Sequence, residues 1–170
     1  QDNRIKIQIN DDKSEIQILN LINNSCNKIT YKDRLQAKQI INKYSNCKDI
    51  SLEDIKLYAD FNELLPNDIP TLIKIDGNLL IINQVIEHKK IIVKNLNNLT
   101  FELNIKKEDY CNIAIQIHQI FNIPIDKLKI TANINGIEYI LPPTFNAGSF
   151  PNNCEIIVQY EYFKTNKMEF

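Results

Sequence analysis

The chain has 170 residues, 44% hydrophobic and 24% charged, with 20 basic and 21 acidic side chains and a formal net charge of −1. That balance, shared evenly by the two halves, leaves no basic stripe for phosphates, so nucleic acid is not an expected partner. No apolar run approaches the ~20 residues of a membrane span, so no membrane association is expected. The hydrophobic share is that of a folded chain.

The first elements read as a hairpin. Ile5, Ile7 and Ile9 alternate with Lys6 and Gln8 as a half-buried strand, Asp11-Asp12-Lys13 supplies a turn, and Glu15 to Leu21 returns with Ile16 and Ile18 on one face. The stretch Leu21 to Lys32, with the turn-forming residues Asn23, Asn24, Ser25 and Asn27, reads as a loop insertion. A helix is expected from Tyr31 to Tyr44, where Ala37, Ile40 and Tyr44 fall on one stripe. A strand follows at Ile55 to Ala59, with its apolar residues inward and Lys56, Tyr58 and Asp60 outward. Asp76-Gly77 is a two-residue turn before a closing strand, Leu79 to Ile82.

From Ile91 the same order recurs. Ile91 to Val93 and Thr100 to Ile105 form a hairpin around Asn97-Asn98. A helix over Asp109 to Phe121 sets Tyr110, Ile113 and Ile117 on one stripe. Asn135-Gly136 turns between Leu128–Ile134 and Ile137–Leu141, and Ile156 to Val158 closes the pass. The block Asp49 to Ala59 aligns with Asn122 to Ala132. This internal duplication implies two small α+β domains, residues 1–84 (with the insertion near 21–32) and 85–170, each a mixed sheet with one main helix across one face.

The order and spacing of these elements, twice over, resemble the ubiquitin superfamily and its β-grasp fold. Phe121 to Asp126 resembles the family's Gly-Ile-Pro-Pro stretch after the helix. Lys129-Ile130-Thr131-Ala132 falls where the family has its Arg-Leu-Ile-Phe strand, and Gly136 lies near its glycine turn. In the first repeat Leu57 to Asp60 occupies that strand, and Leu65 to Leu72 resembles the acidic turn and Thr-Leu that follow.

Little in the chain points to catalysis. Its three glycines form no phosphate cradle. Cys111 and His118 share a helix, but seven residues span roughly 10 Å of rise, too far for one to activate the other. His88 lies beside Lys89 and Lys90 in the short connection between the repeats and reads as a solvated linker histidine. Cys26, Cys47, Cys111 and Cys154 form no C-x-x-C pair, which argues against a metal site. One disulfide per repeat is the alternative to the preferred reading of reduced thiols in the cytoplasm or nucleus. The sequons at Asn23 and Asn98 follow from an Asn-rich composition. The start Gln1-Asp2-Asn3-Arg4 lacks both a signal segment and an initiator Met, which suggests a fragment or processed form.

The resemblance implies one of two roles, attachment through a C-terminal Gly-Gly or binding of partners in place. The chain ends Lys164 to Phe170 without such a pair. A non-catalytic protein–protein interaction module of two ubiquitin-like domains, within a larger protein of that pathway, is therefore expected, with no cofactor and no small-molecule substrate. A tandem modifier lacking its tail and a structural subunit of a large assembly are the alternatives. Family members commonly bind through a sheet face centred on an outward residue of the third strand, here Tyr58 and Thr131. The expected partner surface is Tyr58 with Lys56, Leu80 and Ile82; the competing expectation is that the second repeat covers this face.

Overall fold

The computed structural model describes residues 15–30, 35–45, 47–67 and 79–160. The strand expected at Ile5 to Ile9, the turn at Asp11 to Lys13 and the turn at Asp76-Gly77 lie outside the described residues. The chain divides into two compact units, residues 1–86 and 87–170.

In the first unit β1 (Glu15–Asn20) pairs antiparallel with β2 (Ser25–Thr30). After α1 (Ala37–Tyr44) come β3 (Ile55–Ala59) and the short β4 (Asn62–Leu64), which pair antiparallel. The closing strand β5 (Leu79–Gln84) lies between the two hairpins, parallel to β1 and antiparallel to β3. The sheet order is β2-β1-β5-β3-β4. Alternation sends Ile16, Ile18, Ile55, Leu57, Leu80 and Ile82 to one face, where they form a buried core with Ala37 and Ile40 of α1.

The second unit repeats this plan. Its strands are β6 (His88–Asn95), β7 (Thr100–Lys106), β8 (Leu128–Ile134), β9 (Ile137–Ile140) and β10 (Cys154–Tyr160), with α2 (Ile113–Phe121) after the first hairpin. The order is β7-β6-β10-β8-β9, with β10 parallel to β6 and antiparallel to β8. The expected stripe on α2 is the buried one, Ile113 and Ile117 continuing from Tyr110 in the 3-10 turn before it. Asn122 ends α2 in the left-handed region, its N–H bonded to the carbonyl of His118. Asn135 and Gly136, both at positive φ, make the tight β8–β9 turn. A first hairpin, a crossing helix and a last strand laid parallel to the first define two ubiquitin-like β-grasp domains in tandem.

Two sequence expectations are corrected here. Leu21 to Lys32 is no insertion: Ser25–Thr30 within it is β2, paired residue for residue with β1, and it corresponds to β7. As an edge strand β2 buries little more than Ile29, and β7 likewise buries only Ile105. So polar an edge strand resembles a loop in sequence. His88, expected in a connection, opens β6 instead, leaving only Val85 to Glu87 between the last strand of one unit and the first of the next.

The two first hairpins share a device. Asn20 and Asn95 occupy the same register position, opposite Ile82 and Val158 respectively. Asn95 accepts the N–H groups of Asn97 and Leu99 at 2.9 Å. Asn20, fully buried, accepts the N–H of Ile22 at 2.8 Å and donates to the carbonyl of Ser45 at 2.8 Å, tying the turn to the end of α1. Asn20→Ala removes both and leaves buried groups unsatisfied, so it is expected to lower the unfolding free energy of the first unit by about 1–3 kcal/mol. Urea denaturation followed by circular dichroism measures this.

Candidate interaction surfaces

The expected cluster of Tyr58, Lys56, Leu80 and Ile82 lies across β3 and β5, but not on one face. Leu80 pairs with Ala59 and Ile82 with Leu57, which places both in the core beneath α1, fully buried. Tyr58 pairs with Ile81 and so points to the opposite face, as Lys56 does. There Tyr58 and Ile81 are each 2% exposed and Leu79 is 8% exposed. The expectation of an exposed tyrosine anchor is therefore corrected. A uniformly apolar strand such as Leu79 to Ile82 hides which of its residues face which way, and only the pairing register decides it. Lys56 alone of the four keeps solvent access, and it lies 3.8 Å from Glu63.

Thr131 sits on β8 between Ile157 and Ile140. Ile140 is 68% exposed and Ile137, also on the edge strand β9, is 56% exposed.

A second feature of the first unit was not visible in the sequence. Between α1 and the β3–β4 hairpin runs an apolar groove of about 430 Å³. Its floor includes Ile41, Leu57 and Leu64, and its rim carries Leu52 and Leu65, 53% and 60% exposed. Leu52 lies in a 3-10 turn whose N-cap Ser51 accepts the N–H of Glu53. Among the described residues β4 ends its sheet, so the groove runs beside a sheet edge. These leucines lie in short irregular segments where neither the strand nor the helix period applies, which is why pattern reading passes over them.

The chemical candidates are not brought together. The Nδ1–H of His118 donates to the carbonyl of Ile123, fixing the ring against the chain beyond α2. Cys111 is exposed and lies near its neighbour Asn112. All four cysteines are free thiols. Among the described residues no three His, Cys, Asp or Glu side chains cluster as metal ligands. No helix among them is long and apolar enough to cross a membrane.

Lys89, placed by the sequence in a short connection, is the least expected group in the second unit. It is 1% exposed. Its Nζ donates to the carbonyls of Ala147 at 3.0 Å, Gly148 at 3.1 Å and Phe150 at 2.5 Å. The ring of Tyr110 lies 5.2 Å away. Burial pulls its pKa down from the usual 10.5, toward the neutral amine. Burial likewise pushes the Cys154 thiol up to about 12, so near neutral pH that group is an uncharged thiol and supplies no counter-charge. The signal available in sequence was the continuation of the inward series Lys89, Ile91, Val93 at period two.

Compared by sequence, the chain matches no protein-family model and no curated protein. Among solved structures it is similar to several ubiquitin-like domains. The C-terminal ubiquitin-like domain of mouse tubulin-specific chaperone e is 13% identical at a TM-score of 0.39, over 45% of this chain and 90% of that one. Ubiquitin of Caldiarchaeum subterraneum is 15% identical at 0.37, over 45% and 96%. A ubiquitin-like domain of an Arabidopsis thaliana protein is 20% identical at 0.37, over 46% and 83%. The likeness is one of fold alone, and the fold assignment rests on the strand order and helix placement described above.

The placement of Tyr58 has a measurable consequence. Tyr58→Ala removes a large buried side chain and is expected to cost about 3–5 kcal/mol of stability. Lys56→Ala, at an exposed ion pair, is expected to stay within about 0.5 kcal/mol. Chemical denaturation of both variants checks this; a loss below about 0.5 kcal/mol for Tyr58→Ala would show the ring to be at the surface.

Proposed function

We propose that this chain is a non-catalytic protein–protein interaction module built from two ubiquitin-like domains, within a larger protein of the ubiquitin or ubiquitin-like pathway. The observation that carries the reading is the apolar groove between α1 and the β3–β4 hairpin. Leu52 and Leu65 of its lining are each more than half exposed, apolar surface that a partner segment can cover. An extended protein segment fits it: alternate apolar side chains enter between Ile41 and Leu64, while the edge of β4 offers main-chain hydrogen bonding. Recognition of this kind needs neither cofactor nor nucleophile.

The test is selection of extended peptides from a displayed random library against the whole chain. Selected peptides are expected to carry apolar residues at alternating positions. They should lose roughly tenfold or more in affinity against Leu65→Asp, about 1.4 kcal/mol, while the melting temperature of that variant stays close to the parent. Peptides whose binding ignores Leu65→Asp and Leu52→Asp would remove the groove as the binding surface.

A further inference from the structure

We propose that the turn between Phe145 and Phe150, together with Tyr110, forms a cage for a primary ammonium ion, and that Lys89 fills it as a charged ammonium clasping this turn to the first strand of the second unit. The geometry supports the charged form. An ammonium carries three N–H donors and no acceptor, and three backbone carbonyls converge on Nζ. A neutral amine has two donors and a lone pair, so one carbonyl would face that lone pair unsatisfied. The face of Tyr110 adds attraction for a cation and none for an amine.

The turn is built to hold its carbonyls in place. Asn146 accepts the N–H of Gly148 at 2.8 Å, Ser149 donates its hydroxyl to the carbonyl of Asn146 at 2.7 Å, and Phe145 stacks on Phe150 with centroids 5.5 Å apart. Both rings are fully buried. Across the sheet Lys89 faces the uncharged Ile105. From β10 it faces the thiol of Cys154, which is neutral at physiological pH, and from the 3-10 turn before α2 it faces Tyr110. No carboxylate of the described residues pairs with it. The positive charge is therefore solvated by main-chain dipoles in place of an ion pair, and these act against the burial that favours the amine.

Two measurements decide the matter. The first is nitrogen-15 NMR of the Lys89 side chain in the intact chain. The ammonium signature is expected to persist past pH 9, with no rise in the stability of the second unit between pH 7 and 9. The overturning result is a side chain already neutral at pH 8. In that case the folded state would bind fewer protons than the unfolded one between about pH 7 and 10, and stability would rise with pH across that window. The second is chemical rescue. Lys89→Ala is expected to lower the melting temperature of the unit by roughly 8 °C or more, and propylammonium chloride, which matches the three carbons and ammonium removed, to recover part of the loss, where tetramethylammonium chloride at equal ionic strength does not. A folded Lys89→Ala variant indifferent to both salts would overturn the cage. Should that variant fail to fold, Lys89→Met serves in its place: it keeps the stem, leaves three carbonyls without a donor, and is expected to be less stable than the parent. Equal or greater stability of Lys89→Met would overturn the proposal.

Discussion

The parallel pairing of the first and last strands holds each unit together. β5 lies on β1 and β10 on β6, and neither sheet exists as one surface without that contact. Ile82 reaches the core only because β5 is threaded between β1 and β3, and Val158 does the same between β6 and β8. Parallel strands need a long crossover, and here the helix and the second hairpin together form it. The helix then covers the face on which the two ends of the unit meet. Each unit makes this closure from its own residues.

From that constraint the other features follow. Asn20 and Asn95 stand at the end of the first strand, where the pairing with the last strand stops and the hairpin must turn, and each supplies side-chain hydrogen bonds to the turn. Lys89 stands at the opposite end of β6, in the inward series that continues with Ile91 and Val93. A lysine there must be solvated by something in the interior, and the turn ahead of β10 provides its carbonyls. The turn that presents the last strand is thus fastened to the strand it pairs with. In the first unit the edge hairpin β3–β4 and α1 leave an apolar groove between them, beside the core and not on the far face of the sheet.

Much of this was legible in the residues, and the failures have physical causes. Where one face is buried and the other solvated, periodicity identified the element: the stripes on α1 and α2 occur where expected, as do the hairpin around Asn97-Asn98 and the Asn135-Gly136 turn. β2 escaped notice because an edge strand with one buried residue carries almost no alternation, and its Asn-rich surroundings read as a loop. The direction of Tyr58 relative to Leu80 and Ile82 was not legible because the stretch Leu79 to Ile82 of β5 is apolar at every position. With no pattern along the strand, facing is set by register to β3, a long-range property. The burial of Lys89 was not legible because main-chain carbonyls from more than fifty residues away leave no trace in composition.

Self-closure of each unit is tested most directly by producing residues 1–86 and 87–170 as separate chains and recording their amide NMR spectra beside that of the intact protein. Each half is expected to give a dispersed spectrum with its own sheet and helix, and the amides of β6, β10 and α2 should keep their positions apart from those near the cut at Ile86–Glu87. Collapsed, undispersed spectra from both halves would contradict the claim that each unit closes its sheet with its own first and last strands.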